Sequence, residues 1–102
     1  MILSESELVA AVTRDRAAGR RIGFISVAFD LLKVGVVRAV QAAAGQSDRL
    51  VVALVDDASP HVMKVVDRAE LVDNLRGVDY VIVCVADRLD SLAALLKPDV
   101  RA

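Results

Sequence analysis

Three features of this 102-residue chain predict a small α/β fold with a parallel sheet. Continuous apolar runs at Ile22 to Phe29, Leu50 to Val55 and Val78 to Val85 alternate with segments whose apolar residues recur at helical spacing. Each run is apolar on both of its faces, as in a parallel strand covered by helices on either side. The core material is aliphatic: 56% of the residues are hydrophobic, yet Phe24, Phe29 and Tyr80 are the only aromatic ones. The expected architecture is a Rossmann-like three-layer domain with three main strands and room for a short fourth. Right-handed crossovers fix its general topology.

The elements follow in order. Ser4-Glu5-Ser6-Glu7 is a capping box, in which the Ser4 hydroxyl and the Glu7 carboxylate satisfy each other's backbone amides. Leu8, Ala11 and Val12 then form the apolar stripe of a first helix, which Gly19 ends. The first strand leads to a helix from Val34 to Ala44, with Val34, Val37, Val40 and Ala44 near one face and Gly45 after it. Asp48-Arg49 introduces the second strand, which ends in the polar loop Asp56-Asp57-Ala58-Ser59-Pro60. A third helix is expected from Arg68 to Arg76, capped by Asp67, with Ala69, Leu71, Val72 and Leu75 inward and Gly77 as its terminator. After the third strand, a helix from Arg88 to Lys97 carries Leu89, Leu92, Leu95 and Leu96 and stops at Pro98. Asp99-Val100 starts the short fourth strand. The length fits one domain, residues 1–19 forming its N-terminal helix and 20–102 its Rossmann-like core.

Charge excludes some functions. Thirteen basic and 14 acidic residues leave a net charge of −1, so nothing favours a nucleic acid or a membrane surface as partner. The basic cluster Arg14, Arg16, Arg20 and Arg21 lies at a helix end, where cations meet the negative pole of the dipole; it reads as a solvated helix end. Cys84 is the single cysteine and lies in an apolar run, so it reads as a core residue, and a reducing cytoplasm is the expected setting. No apolar run approaches the ~20 residues of a membrane span. Glu5 and Glu7, with no basic segment before them, argue against a secretory signal.

The junction of the first strand and second helix is where an open α/β sheet binds ligands. Here it reads Val27-Ala28-Phe29-Asp30-Leu31-Leu32-Lys33-Val34-Gly35-Val36. This segment resembles the G-x-F-D-x-x-H-x-G-H signature of the cytidylyltransferase-like nucleotidyltransferases, matching at Phe29, Asp30, Leu32 and Gly35. Asp48 to Ser59, Arg68 to Val72, Val78 to Val81 and Leu96 to Val100 are similar to later segments of the same family, in the same order. The pattern is nearest to glycerol-3-phosphate cytidylyltransferases and heptose-1-phosphate adenylyltransferase domains, and it covers about three quarters of the chain.

The resemblance implies a nucleotide or phosphate site lined by Phe29, Asp30, Lys33, Gly35, Asp57, Lys64 and Arg68. It also implies Mg²⁺ accompanying CTP or ATP in an active member. The departures are chemical. Lys33 and Val36 stand at the two motif histidines, which hold triphosphate charge in the family. Val27 stands at the glycine that lets the nucleotide approach. Lys64 is the one phosphate-gripping basic residue retained in a shortened loop, and the family's serine/threonine-rich motif is absent from these residues. Loss of one such donor costs about 10²–10³ in rate. The expected reading is therefore a catalytically degenerate domain with no assigned catalytic residue, in a binding, assembly or regulatory role. Two alternatives stay open: an active minimal cytidylyl- or adenylyltransferase using Lys33 on a sugar- or polyol-phosphate, and a purely structural oligomerisation module.

Other groups point less far. Asp56-Asp57 suits either a magnesium ion or a loop cap, and the cap is preferred. Asp30 suits a turn cap or the cleft equally. His61 has no ligand partner at metal spacing, and no metal site is expected. Arg68 and Glu70 fit a solvated first turn, although Arg68 matches a family position near the cleft. Exposed sheet edges, together with apolar surface that the family covers with a further strand and helix, predict a homo-oligomer.

Overall fold

A computed structural model describes residues 1–27, 34–56 and 64–102. Four parallel strands, β1 (Ile22–Val27), β2 (Arg49–Val55), β3 (Tyr80–Cys84) and β4 (Val100–Arg101), lie in the order β3-β2-β1-β4. Helices α1 (Glu5–Ala17), α2 (Val34–Gly45), α3 (Val65–Asp73) and α4 (Leu89–Leu96) complete the domain. The two-residue β4 pairs with β1 through Gly23↔Val100 and Phe24↔Arg101, so the short fourth strand exists.

Strand alternation sorts the core into two layers. Ile22, Phe24, Val51, Ala53, Tyr80 and Ile82 point to one face, where Leu8, Ala11 and Val12 of α1 and Leu92, Ala93 and Leu96 of α4 cover them. Ile25, Val27, Leu50, Val52, Leu54 and Val81 point to the other, beneath Val36, Val40 and Ala43 of α2 and Ala69 and Val72 of α3. The continuous apolar runs arise because both faces are covered. Gly23 is required by close approach: a Cβ there would lie 2.6 Å from Ser47 Oγ and 2.9 Å from Ser47 Cβ.

A repeated device sets the register. Asp48, Asp79 and Asp99 each stand one residue before β2, β3 and β4. The Arg21 amide donates to Asp48 Oδ2 at 2.8 Å, and the Asp48 amide donates back to the Arg21 carbonyl at 2.9 Å. Leu50 and Asp79 exchange the same two bonds at 2.8 and 3.1 Å, and Ile22 and Asp99 at 2.8 and 2.8 Å. Each strand pair is thus clamped at its N-terminal end, and a one-residue slip would break both bonds.

Several boundaries differ from the sequence expectation. The capping box on α1 forms as read. α3, however, starts at Val65 after Lys64, whose side chain makes no capping bond, and Asp67 lies inside the first turn. The inward stripe is therefore Val65, Arg68, Ala69 and Val72, with spacing i, i+3, i+4, i+7. Leu71 falls off that stripe and is exposed. The helix stops at Asp73, where Asn74 Nδ2 donates to the Glu70 carbonyl at 2.7 Å, and not at Arg76. A single 3₁₀ turn, Ala86–Arg88, precedes α4, and Lys97 in the left-handed region (φ 49°) closes it. Leu95 faces outward, while Ala93 takes the inward position.

The N-terminal segment adds a contact that has no periodic signature. Ile2 bridges Val81 in parallel, with Leu3 N–H donating to the Val81 carbonyl and Val81 N–H to the Met1 carbonyl, both at 2.8 Å. The outer edge of β3 is therefore partly covered.

Candidate functional site

In a parallel sheet every strand's C-terminal end leads to a helix N-terminus at the same edge. β1 ends at Val27 and α2 begins at Val34; β2 ends at Val55 and α3 begins at Val65. This edge therefore brings Gly35, Lys64 and Arg68 into the region where the resemblance places a nucleotide. Phe29, Asp30, Lys33 and Asp57, with His61, lie outside the described residues.

The placed residues differ in character. Lys64 is exposed at the N-cap of α3. Arg68 is only 3% exposed because it occupies an inward position of that helix. It is not a solvated first-turn residue. A buried guanidinium keeps its charge and needs partners, and Arg68 is not without one. Gly35, in the first turn of α2, is exposed, and a Cβ there would meet nothing within 4 Å among the described residues. Among the described residues neither a positive φ nor packing explains this glycine, which costs a helix ~1 kcal/mol relative to alanine.

Val36 is 8% exposed and Val27 is 4% exposed, and both belong to the apolar cluster beneath α2 and α3. The positions that the resemblance aligns with a motif histidine and a motif glycine thus supply core packing. Sequence reading found these substitutions but not their burial, because the burial depends on the face of α2 turned to the sheet.

Cys84 ends β3 at the same edge and is partly buried. Burial pushes its thiol above the ordinary value; the nearby Arg88 opposes this and Glu5 adds to it. The thiolate is disfavoured, which argues against a nucleophile. Among the described residues no group of three or more His, Cys, Asp or Glu is arranged to hold a metal ion. No helix there is long and apolar enough to cross a membrane.

The opposite edge holds a polar network that sequence reading missed. Asp15, facing inward from α1, is buried, and the Tyr80 hydroxyl donates to its Oδ2. Arg20 Nη1 and Arg49 Nε stand 3.5 and 3.8 Å from Asp15 Oδ1. Burial first, and then the Asp15 carboxylate, raise the Tyr80 phenol above its ordinary value, while Arg49 and Arg14 oppose the shift. Arg16 Nη2 donates to the carbonyls of Leu96 and Lys97, each at 2.7 Å, capping α4. Asp15 therefore ties α1 to the starts of β2 and β3 and Arg16 ties it to α4, while Arg14, Arg16, Arg20 and Arg21 all stay exposed, as a solvated helix end should. The discoverable signal was Asp15 itself, a lone acid on the apolar side of the helix.

Known proteins resemble this chain in sequence and in fold. The chain is 37% identical over 107 residues to bifunctional protein HldE of Gluconacetobacter diazotrophicus, and 36% identical over 106 residues to HldE of Bradyrhizobium diazoefficiens. These alignments take in 97% and 96% of the chain. It belongs to the cytidylyltransferase-like nucleotidyltransferases. The chain spans only 22% of the length of each of these relatives. A crystal structure of the lipopolysaccharide core biosynthesis protein from Thermoplasma volcanium shares the fold, with a TM-score of 0.73 at 21% identity over 81% of this chain and 73% of that one. No family model matches the chain. It is a nucleotidyltransferase-like domain.

Proposed function

We propose that this nucleotidyltransferase-like domain has lost nucleotidyl transfer and keeps a weak nucleotide or phosphate site for a binding, assembly or regulatory role. The observation that carries the first half is the burial of Val36 with Val27 in one apolar cluster. A valine offers no donor to a leaving pyrophosphate, and a missing donor of this kind removes about 10²–10³ of rate. The second half rests on Gly35, which has no packing or conformational need among the described residues and stands at a helix start, where backbone amides favour anions. Lys33, Lys64 and Arg68 are the cations assigned to that anion, with Phe29, Asp30 and Asp57 as the remaining lining. Mg²⁺ would arrive with the phosphates of CTP or ATP.

Calorimetric titration of CTP and ATP with Mg²⁺, followed by an assay of pyrophosphate release with a panel of phosphorylated polyols and sugars, tests this reading. Binding without release is the expected result. Release that Lys33→Ala abolishes would instead identify an active minimal transferase. No binding of either nucleotide would leave a structural module.

A further inference from the structure

The face opposite α2 and α3 carries an open groove between α1 and α4. One cavity of about 390 Å³ lies towards Arg16 and Lys97, and another of about 600 Å³ lies towards Ser4 and Glu5. Val9 and Leu95 line both cavities, and Leu95 is 52% exposed. Ala10, Ala17 and Ala94 are exposed on the same two helices, so another helix can approach closely.

Charge says what fits there. The upper end holds Glu5 and Glu7 in the first turn of α1 and Asp90 in the first turn of α4, with Asp87 just before. Arg88, bonded to Glu5, and Arg101, bonded to Asp90 at 3.0 Å, offset part of this. The lower end holds Arg14 and Arg16 in the last turn of α1 and Lys97 at the end of α4. Both helices run from the acidic end to the basic end. An antiparallel copy therefore meets complementary charge and opposed helix dipoles, whereas a parallel copy sets acidic end against acidic end and basic end against basic end. The α1 stripe Glu5, Val9, Thr13 and Arg16 is self-complementary in this sense. A rotation centred near residue 11 lays Val9 on the partner's Thr13 and the acid on the base.

We propose that this groove docks a second copy of the chain about a two-fold axis lying across α1, with the two α1 helices antiparallel. This isologous face is distinct from the sheet edges, one of which the Met1 to Leu3 segment already covers in part. The proposal does not depend on nucleotide binding.

Sedimentation over a concentration series should show a monomer–dimer equilibrium that weakens at high salt and by at least tenfold in Leu95→Asp, with circular dichroism reporting that variant's fold. In a Cys84→Ser background, Val9→Cys and Thr13→Cys chains mixed in equal amounts should form a disulfide-linked heterodimer in preference to either self-linked product. A monomer at every concentration overturns the proposal. So does a dimer that survives Leu95→Asp and gives no 9-to-13 link, because its contact lies elsewhere.

Discussion

At the N-terminal edge of the sheet, three aspartates clamp three strand pairs and a buried carboxylate ties α1 to β2 and β3. At the C-terminal edge, the positions that the resemblance aligns with phosphate-handling residues are packed valines, a glycine at which a Cβ would meet nothing within 4 Å among the described residues, and a buried arginine. Both edges are built from the same few strands, but polar groups clamp the fold at one, while buried valines and a buried arginine pack the other. On the proposed reading, loss of the ligand chemistry leaves the fold intact because its register is fixed at the far end.

The largest expected effect is at the N-terminal edge. Asp15→Ala leaves the Tyr80 hydroxyl and two arginines without their shared carboxylate, and removing one member of a buried charged group costs about 3 kcal/mol. Urea unfolding should show that loss; a change below ~1 kcal/mol would mean that solvent already serves this network. Val36→His tests the other edge. Restoring the motif residue places an imidazole among apolar side chains, lowers stability by about 1–3 kcal/mol and yields no pyrophosphate release. A stable variant that regains transfer would sink the degenerate reading.

Asp79→Ala removes one clamp and should cost ~1.5 kcal/mol, since hydrogen bonds to charged groups contribute about 1.5–3 kcal/mol. The clamp at Asp99 can be read by pH. The Ile22 amide, above all, holds the Asp99 carboxyl below its ordinary value of 3.8. Its stabilisation is therefore complete above that value and is lost as pH falls through the lower folded value. Urea midpoints measured down to acid pH should fall less steeply in Asp99→Asn than in the parent. Gly35→Ala gives the smallest change, a gain of about 0.5–1 kcal/mol from helix propensity. If nucleotide binding is unaffected in this variant, the residual site does not use the open backbone at Gly35.

The sheet was legible because strands covered on both faces must be apolar at every position, and because Ser4 and Glu7 announce a helix start by themselves. α3 was misplaced because Lys64 gives no capping signal while Asp67 imitates one. Leu71 and Leu95 misled for the same reason: both are apolar residues beside, not on, an inward stripe. The aspartate clamps and the Ile2 bridge were invisible because each requires a partner 27 or more residues away. At the site, resemblance pointed to Gly35, Lys64 and Arg68 but gave no account of why Arg68 is buried. The helical phase of α3 supplies it.

The pairing of Ile2 with Val81 also bears on how the chain comes off the ribosome. At about 5–20 residues per second, the N-terminal segment is made roughly 4–16 s before the strand that receives it. β1 likewise waits for β4, made from the last few residues shown. The two flanks of the sheet must close after the centre, so in a synthesis-arrest series α1 should gain full protease protection only once β3 has emerged.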